Sequence, residues 1–86
     1  MTADAGEVKR LRRMVLLLDL LPEAPKYATS YHLATRLGIG HRMAQRDLLV
    51  LADVFRGNVV RNDRASPYGW AWAPGKRSVF IEWSRP

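Results

Sequence analysis

Residues 29–48 read TSYHLATRLGIGHRMAQRDL, and this stretch decides the fold. Thr29 or Ser30 can cap a helix, because a side-chain oxygen there accepts one of the free amides of the first turn. Leu33, Ala34 and Leu37 then recur at helical spacing and form an inner face. Gly38 follows where a left-handed residue closes a helix. Gly38-Ile39-Gly40 reads as a tight turn with Ile39 as its apolar anchor. The next helix runs from about His41 to Phe55, with Ala44, Leu48, Leu51 and Phe55 inward at steps of four, three and four. Small Ala34 lets two helices cross closely. Leu33, Leu37, Ile39, Ala44 and Leu48 close a mini-core that fixes the angle between them.

Upstream, Asp4 and Glu7 form a capping box for a helix from about Ala5 to Leu21. Val8, Leu11, Val15 and Leu18 share one face of it, and Leu17, Leu20 and Leu21 widen the stripe. Pro22 ends it, since a residue before proline disfavours helical geometry. Lys26–Ala28 reads as a brief extended segment. Downstream, Gly57-Asn58 closes the third helix and the period changes to two. Val59–Arg61 is a strand, residues 62–67 a turn-rich tip, and residues 68–73 the return strand, with Tyr68, Trp70 and Trp72 on one face. Pro74-Gly75 breaks it. Residues 78–83 alternate again, with Val79, Ile81 and Trp83 on one side, as in an extra strand. The expected architecture is α+β: a winged helix-turn-helix of three helices plus a two- to three-stranded wing sheet, with a C-terminal extra strand. Residues 1–75 form that domain. Residues 76–86 form an extension that adds a strand or a dimer contact.

Eighty-six residues make one domain, because a second would have too little interior. The chain has no cysteine, which excludes disulfide frameworks, thiolate metal sites and thiol catalysis. Fourteen Lys and Arg against eight Asp and Glu leave a net charge of +6, which points to an anionic partner, nucleic acid first. Lys9, Arg10, Arg12 and Arg13 before the apolar run 14–21 imitate a secretion signal, but Asp19 interrupts the run and Asp4 and Glu7 sit in the positive region. No stretch reaches the roughly 20 apolar residues of a membrane span. The expected address is the cytoplasm, at the nucleoid. His32 and His41 lack metal-site spacing, Gly38-x-Gly40 lacks the third glycine of a dinucleotide loop, and no serine sits in a nucleophile elbow. No enzyme, metal or cofactor is expected.

Residues 27–39 together with Arg42-Met43-Ala44-Gln45-Arg46-Asp47-Leu48 resemble the N-terminal DNA-binding domain of WYL-domain and DeoR-like bacterial transcriptional regulators. Pro67-Tyr68-Gly69-Trp70 is similar to the wing of the WYL group. The likeness spans about residues 7–75, and Gln45-Arg46-Asp47-Leu48 is its most specific part. It implies a DNA-binding repressor or activator. Gly40 stands where those regulators usually carry a capping serine, and His32 where they carry an acid. Their larger ligand-sensing domain has no counterpart here, so no small-molecule effector is expected in this chain.

With Ala44 inward, steps of 100° per residue put Arg42, Gln45, Arg46, Leu49 and Asp53 on the outer half of the third helix. Arginine can pair bidentately with guanine and glutamine with adenine in the major groove. His41 and Met43 flank the entering end. Thr29, Ser30 and Tyr31 begin the second helix, whose amides can hold a phosphate or simply be capped. Arg61 and Arg64 flank the wing tip, placed at about residues 61–68, and can reach the backbone or the minor groove. At least two of Tyr68, Trp70 and Trp72 are expected in the core, Asp47 in a salt bridge to Arg36, Arg46 or the helix-one cluster, and that cluster mostly in solvent. The expected function is a sequence-specific regulator of double-stranded DNA. The alternative is a winged-helix module that binds a protein, and apolar Leu49 and Val50 on the outer side favour weighing it. Leu17, Leu20 and Leu21 with Val79, Ile81 and Trp83 are the expected contacts of a homodimer that presents two recognition helices about 34–36 Å apart.

Overall fold

The computed structural model describes residues 5–64 and 68–84. The chain runs α1 (Ala5–Leu20), β1 (Ala28–Thr29), α2 (Ser30–Leu37), α3 (His41–Val54), β2 (Val59–Asn62), β3 (Gly69–Trp72) and α4 (Lys76–Ser84). It is a small α+β domain in which α1–α3 pack on a three-stranded antiparallel sheet of order β1-β3-β2. Asp4, the expected cap of α1, and residues 65–67 of the hairpin tip lie outside the described residues.

The turn residues act locally as their chemistry dictates. Thr29 is the N-cap of α2, and its Oγ1 accepts from the His32 amide at 3.1 Å. Gly38 ends α2 at φ 66°, a left-handed conformation that costs a side chain steric strain. The Ile39 amide then donates to the Ala34 carbonyl at 3.0 Å, which closes the turn. Gly40 precedes α3 in extended geometry and gives no side-chain cap.

The core draws on every element. Leu17, Leu18 and Leu21 meet Leu33, Leu48, Leu51, Val59, Trp70, Trp72 and Phe80. Each buried aliphatic side chain contributes about 1.5–3 kcal/mol of transfer free energy. Ala34 on α2 and Ala44 on α3 are both buried. As the central strand, β3 pairs with Ala28 and Thr29 on one edge and with Val59–Asn62 on the other. All four of its residues are buried, so its two tryptophans are core while Tyr68 is exposed. At the edge shared with β1, Gly69 lies so close to Tyr27 that an added Cβ would stand 2.6 Å from the Tyr27 Cβ.

Two expectations about apolar faces are corrected. On α1, Val8, Leu11 and Val15 are exposed by half or more, and the buried residues are Leu17 and Leu18. The core takes α1 only at its C-terminal end, so a stripe along its whole length is not all core. Leu17 and Leu21 are fully enclosed by the chain itself and have no surface for a dimer contact; Leu20 is half-buried against the same core.

The expected extra strand is instead α4. After the left-handed Gly75, Lys76 N–H donates to the Ala73 carbonyl and the chain turns into a helix. Arg77, Phe80 and Ile81 then fall on one side at spacings of three and one, which a strand would split between two faces. Phe80 stacks on Trp72 with ring centroids 5.3 Å apart. Arg77 donates through Nε to the Leu21 carbonyl and through Nη2 to the Asp19 carbonyl, both at 3.1 Å. Trp72 Nε1 donates to the Leu18 carbonyl at 2.8 Å. These donors satisfy carbonyls that the end of α1 leaves without helical partners, and the cation complements the helix dipole. Ile81 packs on the core, which removes it from the expected dimer strand. The side chains of Val79 and Trp83 lie outside the described residues.

Candidate nucleic-acid interface

The first turns of α3 present one polar face to solvent. Arg42, Met43 and Arg46 are exposed and Gln45 is half-buried beside them. Ala44 and Leu48 anchor the opposite face completely, so the helix cannot rotate those side chains inward. Leu49 is also exposed, and Asp53 further along is paired with Arg56 at 2.8 Å.

Residues 41–48 contain a single acid, Asp47, and the fold withdraws it from this face. Asp47 is 1% exposed. Its Oδ2 accepts from Arg13 Nε and its Oδ1 from Arg13 Nη2 at 3.2 Å. That hydrogen bond raises the Arg13 pKa above the ordinary guanidinium range; burial opposes the rise and the Asp47 charge adds to it. Of the partners expected for Asp47, the helix-one cluster supplies the real one. Among the described residues, Arg42 and Arg46 form no salt bridge.

The start of α2 is tied to the start of α3. Ser30 is buried, and its Oγ lies 2.7 Å from His41 Nε2. Tyr31 stacks on the His41 ring with centroids 3.7 Å apart and planes within 4°. Thr29 Oγ1 is occupied by the His32 amide. Thr29 thus caps α2 and Ser30 joins α2 to α3, whereas Tyr31 stays 57% exposed beside the α3 face. The Ser30–His41 contact has no signature in the sequence, because it joins two residues eleven apart across a turn.

In the hairpin, Arg61 is held back. It forms an ion pair with Asp63 and lies over the Tyr68 ring, 4.7 Å from its centroid. Arg64 is exposed at the outer end, where its backbone amide donates to Asn62 Oδ1 at 3.1 Å. The Asn62 side chain thus builds the local turn that carries Arg64. Among the described residues, no cluster of three or more His, Asp or Glu side chains could hold a metal. No described helix is long and apolar enough to cross a membrane.

A second surface feature is apolar. Leu11, Met14, Val15, Val50, Val54 and Phe55 line a groove of about 670 Å³ between α1 and the C-terminal half of α3. Val15 and Val54 are 51% and 66% exposed there.

No protein-family model, curated protein or solved structure matches the chain.

Proposed function

We propose that this protein is a winged helix-turn-helix regulator that binds double-stranded DNA in a sequence-specific manner. In this reading α2 and α3 are the helix-turn-helix, α3 enters the major groove, and the β2–β3 hairpin is the wing. The observation that carries it is the withdrawal of Asp47. The one carboxylate in the first two turns of α3 is neutralised by Arg13 inside the protein, which leaves an unopposed face of Arg42, Gln45 and Arg46. A groove lined by phosphates selects against an acid on that face and favours arginine and glutamine as base-reading groups. The resemblance of residues 27–48 to WYL-domain and DeoR-like regulators supports the same reading, as does the +6 charge.

Single winged helices read short sites, and the reading includes a second copy of the chain on the apolar groove. Leu11, Val15 and Val54 are exposed by half or more along this groove, and Val8 continues the same apolar face of α1 beyond it, which is the surface a second copy would cover.

The test is selection of bound sequences from random duplex DNA, followed by affinity measurements over a salt series with non-specific competitor. Enrichment of one motif with affinity that survives competitor supports the reading. Binding that competitor abolishes, or no binding at about 50 mM salt, refutes it.

A further inference from the structure

The inner end of the basic face is a cleft rather than a flat surface. Arg10 and Arg13 of α1 and Arg42, Met43, Arg46 and Asp47 of α3 line a space of about 460 Å³. Of its four guanidinium groups, Arg13 is fixed by Asp47. Among the described residues, Arg10, Arg42 and Arg46 have no carboxylate partner. Three like charges that converge on one space repel each other unless an anion or solvent sits between them. Arg10 and Arg13 are three apart on α1, so the fixed Arg13 holds the α1 wall, and Arg10 with it, against α3. The other basic residues of α1, Lys9 and Arg12, do not line the cleft.

The geometry points to a phosphate-binding site: the α1–α3 cleft takes one backbone phosphate of the duplex, with Arg10 on one wall and Arg42 on the other, while Arg46 beside it is left to the base edges. This rests on the duplex-binding reading and extends it, because it brings α1 into the interface. The inserted group is an anion with several acceptor oxygens, for which guanidinium donors are well matched. Met43 supplies an apolar side that lies against the sugar. The cleft separates the roles of the α1 arginines: Arg13 holds the wall, Arg10 binds, and Arg12 stays in solvent.

The experiment measures affinity of the full chain for a selected duplex over a salt series, with Arg10→Ala, Arg10→Lys, Arg12→Ala and Arg46→Ala. Far-UV circular dichroism and the thermal midpoint confirm that each variant folds; all three positions are exposed, so the fold is not at stake. Arg10→Ala should lower the log–log salt slope by about 1 and weaken binding roughly fivefold at moderate salt, equally on matched and mismatched duplexes. Arg10→Lys should restore most of the slope, since a phosphate accepts from either cation, and Arg12→Ala should move it by less than half as much. Equal effects of Arg10→Ala and Arg12→Ala overturn the site while Arg46→Ala still tests the duplex reading on its own. Equal losses on a single strand of the same sequence overturn the assignment to duplex backbone. A wild-type chain that binds no duplex overturns both.

Discussion

Arg13 on α1 and Asp47 on α3, thirty-four residues apart, form a two-point ion pair in which Nε donates to Oδ2 and Nη2 donates to Oδ1 at 3.2 Å. Asp47 is nearly inaccessible and Arg13 about one-fifth exposed, so the pair is largely shielded from solvent. It fixes the position of α1 on α3 and removes a negative charge from the face of α3 that carries Arg42 and Arg46.

Arg13→Met should therefore destabilise the fold by about 2–3 kcal/mol, because it strands a buried carboxylate. Urea unfolding followed by tryptophan fluorescence measures this. Combining Arg13→Met with Asp47→Leu should recover most of the loss, since both charges are then gone. A double variant as unstable as the single would show that packing rather than charge is responsible. The raised Arg13 pKa makes the sign of the pH effect definite. Stability from Arg13 is fully present below the unfolded pKa and is lost only as pH rises through the higher folded one. The pair should thus add no pH dependence from Arg13 between about pH 7 and 10.

On the DNA side, Arg46→Ala should weaken binding to a selected site by about 1–3 kcal/mol and relax the preference at one base position. An equal loss on all sequences would make Arg46 a phosphate contact. In the β2–β3 hairpin, Arg64→Ala should lower the salt slope by about 1 on every sequence. Arg61→Ala should do less to the slope, because its charge already faces Asp63.

Two glycines give opposite expectations for stability. Gly69→Ala forces a Cβ to 2.6 Å from the Tyr27 Cβ, between two paired strands that cannot easily part, and should cost about 1–3 kcal/mol. Gly40→Ser meets nothing within 4 Å, keeps an ordinary extended φ of −69°, and adds the side-chain cap that α3 lacks. It should stabilise by roughly 0.5 kcal/mol. Thermal melts of the two variants check both signs; a Gly69→Ala protein as stable as wild type would refute the close approach.

The apolar groove predicts the assembly. Wild-type protein at micromolar concentration should sediment as a dimer, and Val15→Glu should yield a folded monomer, because Val15 is half-exposed and its substitution leaves the core intact. A monomeric wild type, or a Val15→Glu variant that remains dimeric, would exclude this surface. A protein partner other than a second copy would appear as a monomer whose groove variants leave DNA affinity unchanged.

Local chemistry determined much of this molecule from sequence alone. Thr29 as cap, Gly38 as left-handed stop, Pro22 as terminator and the 44-48-51 spacing act over one or two turns, so α2, the turn and α3 were legible within a residue or two. Alternation over residues 68–73 likewise revealed β3, and the outward side of Arg42 and Arg46 followed from 100° steps once Ala44 was inward. Other features depended on what packs where. The 8-11-15 stripe of α1 is a sound amphipathic pattern, yet it stays exposed, and Leu11 and Val15 line an open groove beside α3 rather than the core. The alternation over 78–83 equally allows a helix, and the choice fell to Phe80 stacking on Trp72 and Arg77 reaching the carbonyls at the end of α1. The α1 carbonyls lie 56 and 58 residues from Arg77 in the sequence. The Ser30–His41 contact and the convergence of Arg10 with Arg42 and Arg46 were likewise decided only when the helices crossed. Periodicity reports which side of a helix is apolar; only the crossing decides which residue stands opposite it.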